Sequence, residues 1–198
     1  FEGDKGFMYK ANRCLRTALK ILKPIHSERI QNEESLYKVF YNFPWEDHID
    51  VNSKFVIDSV VNGQIFTHSQ FVSQKAKDGI VDQFRDRFSK RPTVDLNRPD
   101  LRINLHINND YCTISLDTSG ASLHHRGYRI VTNIAPLNEV LAAGLIQLSG
   151  WQANTDFLDP MCGSGTFLIE AAMFALKIPA NINRKTFAFD KWKDWDPE

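Results

Sequence analysis

No run of about 18 apolar residues occurs in the 198-residue chain, so nothing in it reads as a membrane-spanning helix, and its first residues show no signal-peptide pattern. Cysteine is scarce. Cys14, Cys112 and Cys162 stand far apart without a C-x-x-C pair, which speaks against a disulfide framework or a zinc or redox pair and fits a reducing, cytoplasmic setting. Neither sign of charge is in excess, because 24 Lys and Arg balance 24 Asp and Glu. Bulk charge therefore points to neither nucleic acid nor membrane, and any basic footprint must be local. At 42% hydrophobic and 24% charged, the composition is globular, with room for one large or two small domains. Two nucleotide-phosphate motifs are missing as well. A G-x-G-x-x-G starting at Gly163 would need glycine where Leu168 stands, and no lysine follows the glycines as a phosphate-cradling loop requires.

What is there instead is Phe157 to Ala172, FLDPMCGSGTFLIEAA. A short apolar strand end at Phe157 and Leu158 is expected to lead through Asp159 into a tight turn at Gly163 and Gly165, then into an apolar helix from Thr166. Glycines let a backbone approach a ligand closely, a helix start offers free N–H groups, and an acidic residue there accepts from hydroxyl or ammonium donors. The alternative is a turn that merely joins strand to helix. The string from Asp159 to Thr166 resembles the first motif of S-adenosylmethionine-dependent methyltransferases of the D-P-x-C-G-S-G-T type.

From Gly6 to Leu22, apolar residues at three- and four-residue steps predict an amphipathic helix that ends before Pro24. A second helix is expected over 35–43, a strand over 54–61, a hairpin-type turn at Asn62-Gly63, and a helix over 73–88 capped by Ser73. Alternation at Leu101, Ile103, Leu105 and Ile107, then at Cys112, Ile114 and Leu116, predicts two antiparallel strands with one polar side. Pro136 would open a helix that runs from Leu137 to Leu148.

The local basic footprint is FRDRFSKR, where Arg85, Arg87, Lys90 and Arg91 face Asp86 alone. Clustered cations suit a phosphate backbone, and they equally suit a solvated helix end. A second basic stretch, GASLHHRGYRIVTNI, carries Arg126 and Arg129 in an irregular connection that can lie against RNA or serve as a surface linker. His124 and His125 have no third ligand in view and are not read as a metal site.

In order and spacing, SLHHRGYR, APLNEVLAAGLIQLSGW and LDPMCGSGTFLIEAA resemble the bacterial large-subunit ribosomal RNA guanine-N2 methyltransferases and their relatives with a THUMP domain. KAKDGIVDQFRDRF with RPTVDLNRPDLRINLHI resembles the THUMP helix and its following strand. The resemblance implies an α/β chain: an α+β THUMP-type RNA-binding module over 1–121, of which 1–30 is a lead-in helix from a preceding ferredoxin-like part, a basic linker over 122–135, and the beginning of a Rossmann-like class I methyltransferase domain, truncated, over 136–198. It implies S-adenosyl-L-methionine as cofactor and ribosomal RNA as partner, with no metal and no membrane. Asp159, Pro160, Cys162, Gly163, Ser164, Gly165 and Thr166 match the cofactor motif, and Asn138 is a weaker contact candidate. The family's N-P-P-Y-type loop, which holds the target amine, has no match in the sequence. Its catalytic residues are expected beyond Glu198, and the chain alone is expected to be inactive. Two other classes stay open: an adenine-type DNA or RNA N-methyltransferase, since the cofactor motif occurs there too, and a non-catalytic RNA-binding module.

Overall fold

Leu101, Ile103, Leu105 and Ile107 on one strand and Cys112, Ile114 and Leu116 on the next are all buried, as their period-two spacing dictates, and they form the centre of a five-stranded sheet. The computed structural model describes residues 2–129 and 137–195. Contacts divide the chain into two units. One holds Leu22–Gly120 and the described residues from Ala188 on; the other holds the residues up to Ile21 together with Ala121–Phe187.

In the first unit, β1 (Leu22–Arg29), β2 (Lys54–Asn62), β3 (Thr93–Val94), β4 (Leu101–Asn108) and β5 (Tyr111–Asp117) lie in the spatial order β1-β5-β4-β2-β3. β4 and β5 are antiparallel neighbours joined at Asn109, which takes a φ of 55°. β2 and β4 are parallel, from Phe55 opposite Leu101 to Asn62 opposite Asn108. Parallel neighbours need a crossover rather than a tight turn, so the hairpin expected at Asn62-Gly63 does not form. α3 (Ser69–Phe88) makes the crossover. It starts four residues before the expected cap at Ser73, whose Oγ instead lies 2.7 Å from Ser59 Oγ on β2.

α2 (Glu33–Asn42) opens on a reciprocal cap, with Ser35 N donating to Asn32 Oδ1 at 2.9 Å and Asn32 N donating to Ser35 Oγ at 3.0 Å. It buries Leu36, Val39 and Phe40 against Val72, Ala76, Ile80 and Phe84 of α3. The two helices approach closely at Gly79, where a Cβ would lie 2.9 Å from both Phe40 Cβ and Tyr37 O. Gln83 closes the other end of α2 by donating to Tyr41 O at 2.5 Å and Phe43 O at 2.6 Å. Trp45, the aromatic anchor of the turn after α2, is fully buried and donates to Phe40 O at 2.7 Å.

In the second unit, α1 (Lys5–Cys14) is capped by Asp4, whose Oδ1 accepts from Phe7 N at 2.7 Å. The helix expected over 6–22 stops at Cys14 because Leu15 turns extended, and Leu22–Arg29 pairs with β5 instead. Pro24 sits in that edge strand, where its missing N–H is tolerated. By contacts, residues up to Ile21 belong with 121–187 rather than with the sheet they precede in sequence. Asn12, fully buried, ties them there: its carbonyl accepts from Asn181 Nδ2 at 2.9 Å. α4 (Glu139–Leu148) and α5 (Thr166–Ala175) complete the unit. The strand end expected at Phe157-Leu158 is not formed. A strand needs a ladder partner, and all described strands lie between Leu22 and Asp117. Pro136 and the end of the basic linker, 130–135, lie outside the described residues.

Candidate cofactor site and basic surface

The chain enters α5 through Gly163 and Gly165, at φ of 53° and 74°, the left-handed region that glycine occupies without strain. Gly165 N closes the turn on Cys162 O at 2.7 Å. Among the described residues, a Cβ at either glycine would meet nothing within 4 Å, so the turn is open on that side to all of them. α5 starts from Gly165, and among the described residues no side chain caps it, which leaves its first N–H groups available to an anionic group. Asp159 accepts from Met161 N at 3.1 Å, and Pro160 and Cys162 are exposed. Ser164 Oγ and Thr166 Oγ1 are 3.3 Å apart. Asn138 caps α4, its Oδ1 accepting from Val140 N at 2.9 Å and Leu141 N at 3.2 Å, so only its amide nitrogen is left to offer a ligand. These residues fit a group that fills an open glycine turn and carries an anionic end.

The R-G-Y-R segment does not lie on the surface as a basic linker would. Arg126 is 1% exposed, which corrects its reading as an RNA contact. A guanidinium out of water needs a partner, and Arg126 Nε finds Glu170 Oε1 at 2.8 Å while Nη2 donates to Arg16 O at 2.6 Å. Tyr128 OH donates to the same Glu170 oxygen at 3.0 Å. Burial pushes the Glu170 carboxyl above its ordinary value, and Arg126, Tyr128 and Arg16 pull it back. Burial, followed by the Glu170 charge, raises Tyr128 well above an ordinary phenol. Arg129 is also largely enclosed: Nε lies 3.3 Å from Glu139 Oε1, and Nη2 donates to Leu137 O at 2.5 Å and to Thr166 Oγ1 at 2.8 Å. Thr166 and Glu170 are one helical turn apart, so the segment runs along one face of α5. Gly127 makes this possible with φ 81° and with Asn183 O 3.2 Å from where a Cβ would sit.

Sequence reasoning missed Glu139 and Glu170. The available signal was a carboxylate on the core-facing side of an otherwise apolar helix, TFLIEAAMFA, which has to find cationic partners. His124, His125, Arg129, Asn138 and Glu139 help line an open cleft of ≈ 480 Å³. The two histidine rings are 3.8 Å apart between centroids, and burial, then His125, lowers the pKa of His124. Among the described residues no three metal-ligating side chains converge.

The expected footprint at the end of α3 is divided. Arg85 lies 3.3 Å from Asp82, and Arg87 is paired with Glu46. Lys90 and Arg91, just beyond the helix, are exposed. Arg102, on β4, is held 2.5 Å from Asp58.

Comparison with known proteins finds two family matches along the chain. Residues 31–117 match the THUMP domain family, and residues 126–196 match the RMKL-like methyltransferase domain. A ribosomal RNA large subunit methyltransferase K/L of Psychromonas ingrahamii is 45% identical over the whole of this chain, which covers 26% of that protein. One from Magnetococcus marinus is 41% identical over 98% of this chain and 27% of its own length. Among solved structures, a protein of Listeria monocytogenes described as a predicted N6-adenine-specific DNA methylase superposes with a TM-score of 0.85 at 29% identity, over 98% of this chain and 51% of that one. SMU.472 complexed with SAH superposes with a TM-score of 0.82 at 31% identity, over 98% and 52%. The chain thus spans about a quarter of these two curated relatives and about half of these two solved proteins. Its fold is α/β, an α+β THUMP module followed by part of a Rossmann-like class I methyltransferase domain, and along its length it matches first the THUMP domain family and then the RMKL-like methyltransferase domain.

Proposed function

We propose that the gene product carrying this chain is an S-adenosylmethionine-dependent methyltransferase that modifies guanine N2 in large-subunit ribosomal RNA. The observation that carries the reading is the open glycine turn at Gly163 and Gly165, set at the uncapped start of α5 in a chain that also holds a THUMP domain. S-adenosylmethionine supplies a sulfonium-activated methyl group, so the protein's task is binding and orientation. Gly163 and Gly165 give the backbone its close approach, with Pro160, Cys162 and Ser164 around it. The first N–H groups of α5, from Thr166, receive an anionic end, and Asp159 and the Asn138 amide receive polar groups of the ligand. Two points support the cofactor: SMU.472 was solved with SAH, and the turn leaves space where such a ligand packs.

RNA is the proposed partner through the THUMP domain, with Lys90 and Arg91 as phosphate contacts and Arg85 and Arg87 as weaker ones, since each already has a carboxylate partner. Arg129 is enclosed and is no longer proposed as an RNA contact. The setting proposed is the cytoplasm, where ribosomal RNA is modified in a bacterium. No Asn-Pro-Pro occurs in these 198 residues, so the chain by itself is proposed to bind RNA without transferring a methyl group.

The test is incubation of the complete gene product, and of this chain alone, with labelled S-adenosylmethionine and ribosomal RNA, followed by nucleoside analysis. N2-methylguanosine from the complete product is the expected result. N6-methyladenosine would transfer the reading to the adenine-modifying class, which the description of the Listeria protein keeps in view. RNA binding without any methylation by the complete product would leave a non-catalytic RNA-binding module.

A further inference from the structure

We infer that Arg129 is a positioning residue for the cofactor turn, acting through Thr166. The inference rests on the cofactor reading above. Among the described residues nothing lies within 4 Å of a Cβ at Gly163 or Gly165, so none of them packs on the turn at those two positions. Its bonds are local: Gly165 N to Cys162 O, Met161 N to Asp159, and Ser164 beside Thr166. The hydrogen bond from Arg129 Nη2 to Thr166 Oγ1, at 2.8 Å, ties the turn to a different element. The same guanidinium holds the start of α4 through Glu139 Oε1 at 3.3 Å and Leu137 O at 2.5 Å. A planar fork with several donors can hold both at a fixed separation; an ammonium on a flexible stem cannot. Arg129 thereby fixes the first residue of α5, and with it the direction of the N–H groups proposed to receive the cofactor, relative to the cap residue Asn138. Arg126 and Tyr128 anchor the same segment one turn further along at Glu170, which leaves Arg129 at the ligand end of the strap.

The experiment uses the complete gene product and measures affinity for S-adenosylmethionine by calorimetry, steady-state constants for cofactor and RNA, and thermal melting. Arg129→Gln is expected to weaken cofactor affinity about tenfold, the scale of one charge-assisted hydrogen bond, and to raise the KM for cofactor with the KM for RNA unchanged. Arg129→Lys, which keeps the charge without the fork, is expected to fall between Gln and the unaltered protein, and it carries the test if the Gln variant melts early. Thr166→Val is expected to cost a similar factor, and the double variant Arg129→Gln/Thr166→Val no more than either single change. Full cofactor affinity in both Arg129 variants overturns the inference, as do strictly additive losses or an equal loss of RNA affinity, which would mark a general effect on the fold. Absence of cofactor binding by the unaltered protein overturns the cofactor reading, and the inference with it.

Discussion

Arg126 and Glu170 form an ion pair with both side chains wholly removed from solvent, Nε 2.8 Å from Oε1, inside a unit whose glycine turn lies one helical turn away. Removing one partner from such a pair strands the other charge, whereas replacing both with apolar groups of similar volume removes the desolvation cost as well. Arg126→Leu is therefore expected to destabilise the protein by about 3–5 kcal/mol, and Arg126→Met/Glu170→Leu by clearly less. Chemical denaturation of the single and paired variants checks this. A paired variant as unstable as the single would contradict it.

Gly165→Ala separates folding from binding. Its φ of 74° costs an alanine about 1 kcal/mol, and the added methyl group meets nothing among the described residues. The space it would occupy is the space proposed for the cofactor. A small loss in melting temperature with a large loss of S-adenosylmethionine affinity is expected, read by melting curves and calorimetry on the same preparation.

The exposed cations after α3 can be weighed against the paired ones by salt. Each phosphate contact with single-stranded RNA contributes about 0.7 to the slope of log K against log salt. Lys90→Ala/Arg91→Ala is expected to lower the slope by about 1.4. Arg85→Ala/Arg87→Ala is expected to lower it by less, because Asp82 and Glu46 already neutralise those side chains. Equal slopes for both double variants and the unaltered protein would place the RNA elsewhere on the THUMP module.

His48 provides a pH dependence. Its ring stacks on Phe43 at 5.6 Å, and burial lowers its pKa below 6.5, with Asp47 opposing and Lys23 reinforcing the shift. The unfolded chain therefore takes up the proton first as pH falls. Stability from this group is complete above the ordinary histidine value and is lost as pH drops through the lowered one. Melting temperature between pH 7.5 and 5 is expected to fall more in the unaltered protein than in His48→Phe, which keeps the stacked ring without the proton site.

Much of the first unit was legible because its signals are periodic. The alternation of β4 is the same in sequence and structure, on β5 it holds only as far as Ile114 because Ser115 and Asp117 are buried as well, and the α3 pattern places Ala76, Ile80 and Phe84 where they are buried. What could not be read depends on neighbours distant in sequence. The helix from Lys5 ends at Cys14, and Leu22–Arg29, expected in part to continue it, finds its ladder on β5, some ninety positions away in sequence. Gly79 looks like a weak point in a helix until the backbone of α2 is seen against it. The R-G-Y-R segment reads as surface basicity because nothing local shows that Glu139 and Glu170 face inward to meet it. The glycine turn itself was legible, since both its left-handed residues are glycines in the string that resembles the family motif.

β1 and β3, the two outermost strands, differ in how they end the sheet. β1 carries Pro24, a register shift between Pro24 and His26, and the charged Lys23, Glu28 and Arg29; β3 is two residues long. A margin that lacks an N–H, is bent, or is too short cannot template a strand from another molecule. The sheet can thus stand beside copies of itself without joining them into a common ribbon, a protection against aggregation that is written in its borders rather than in its core.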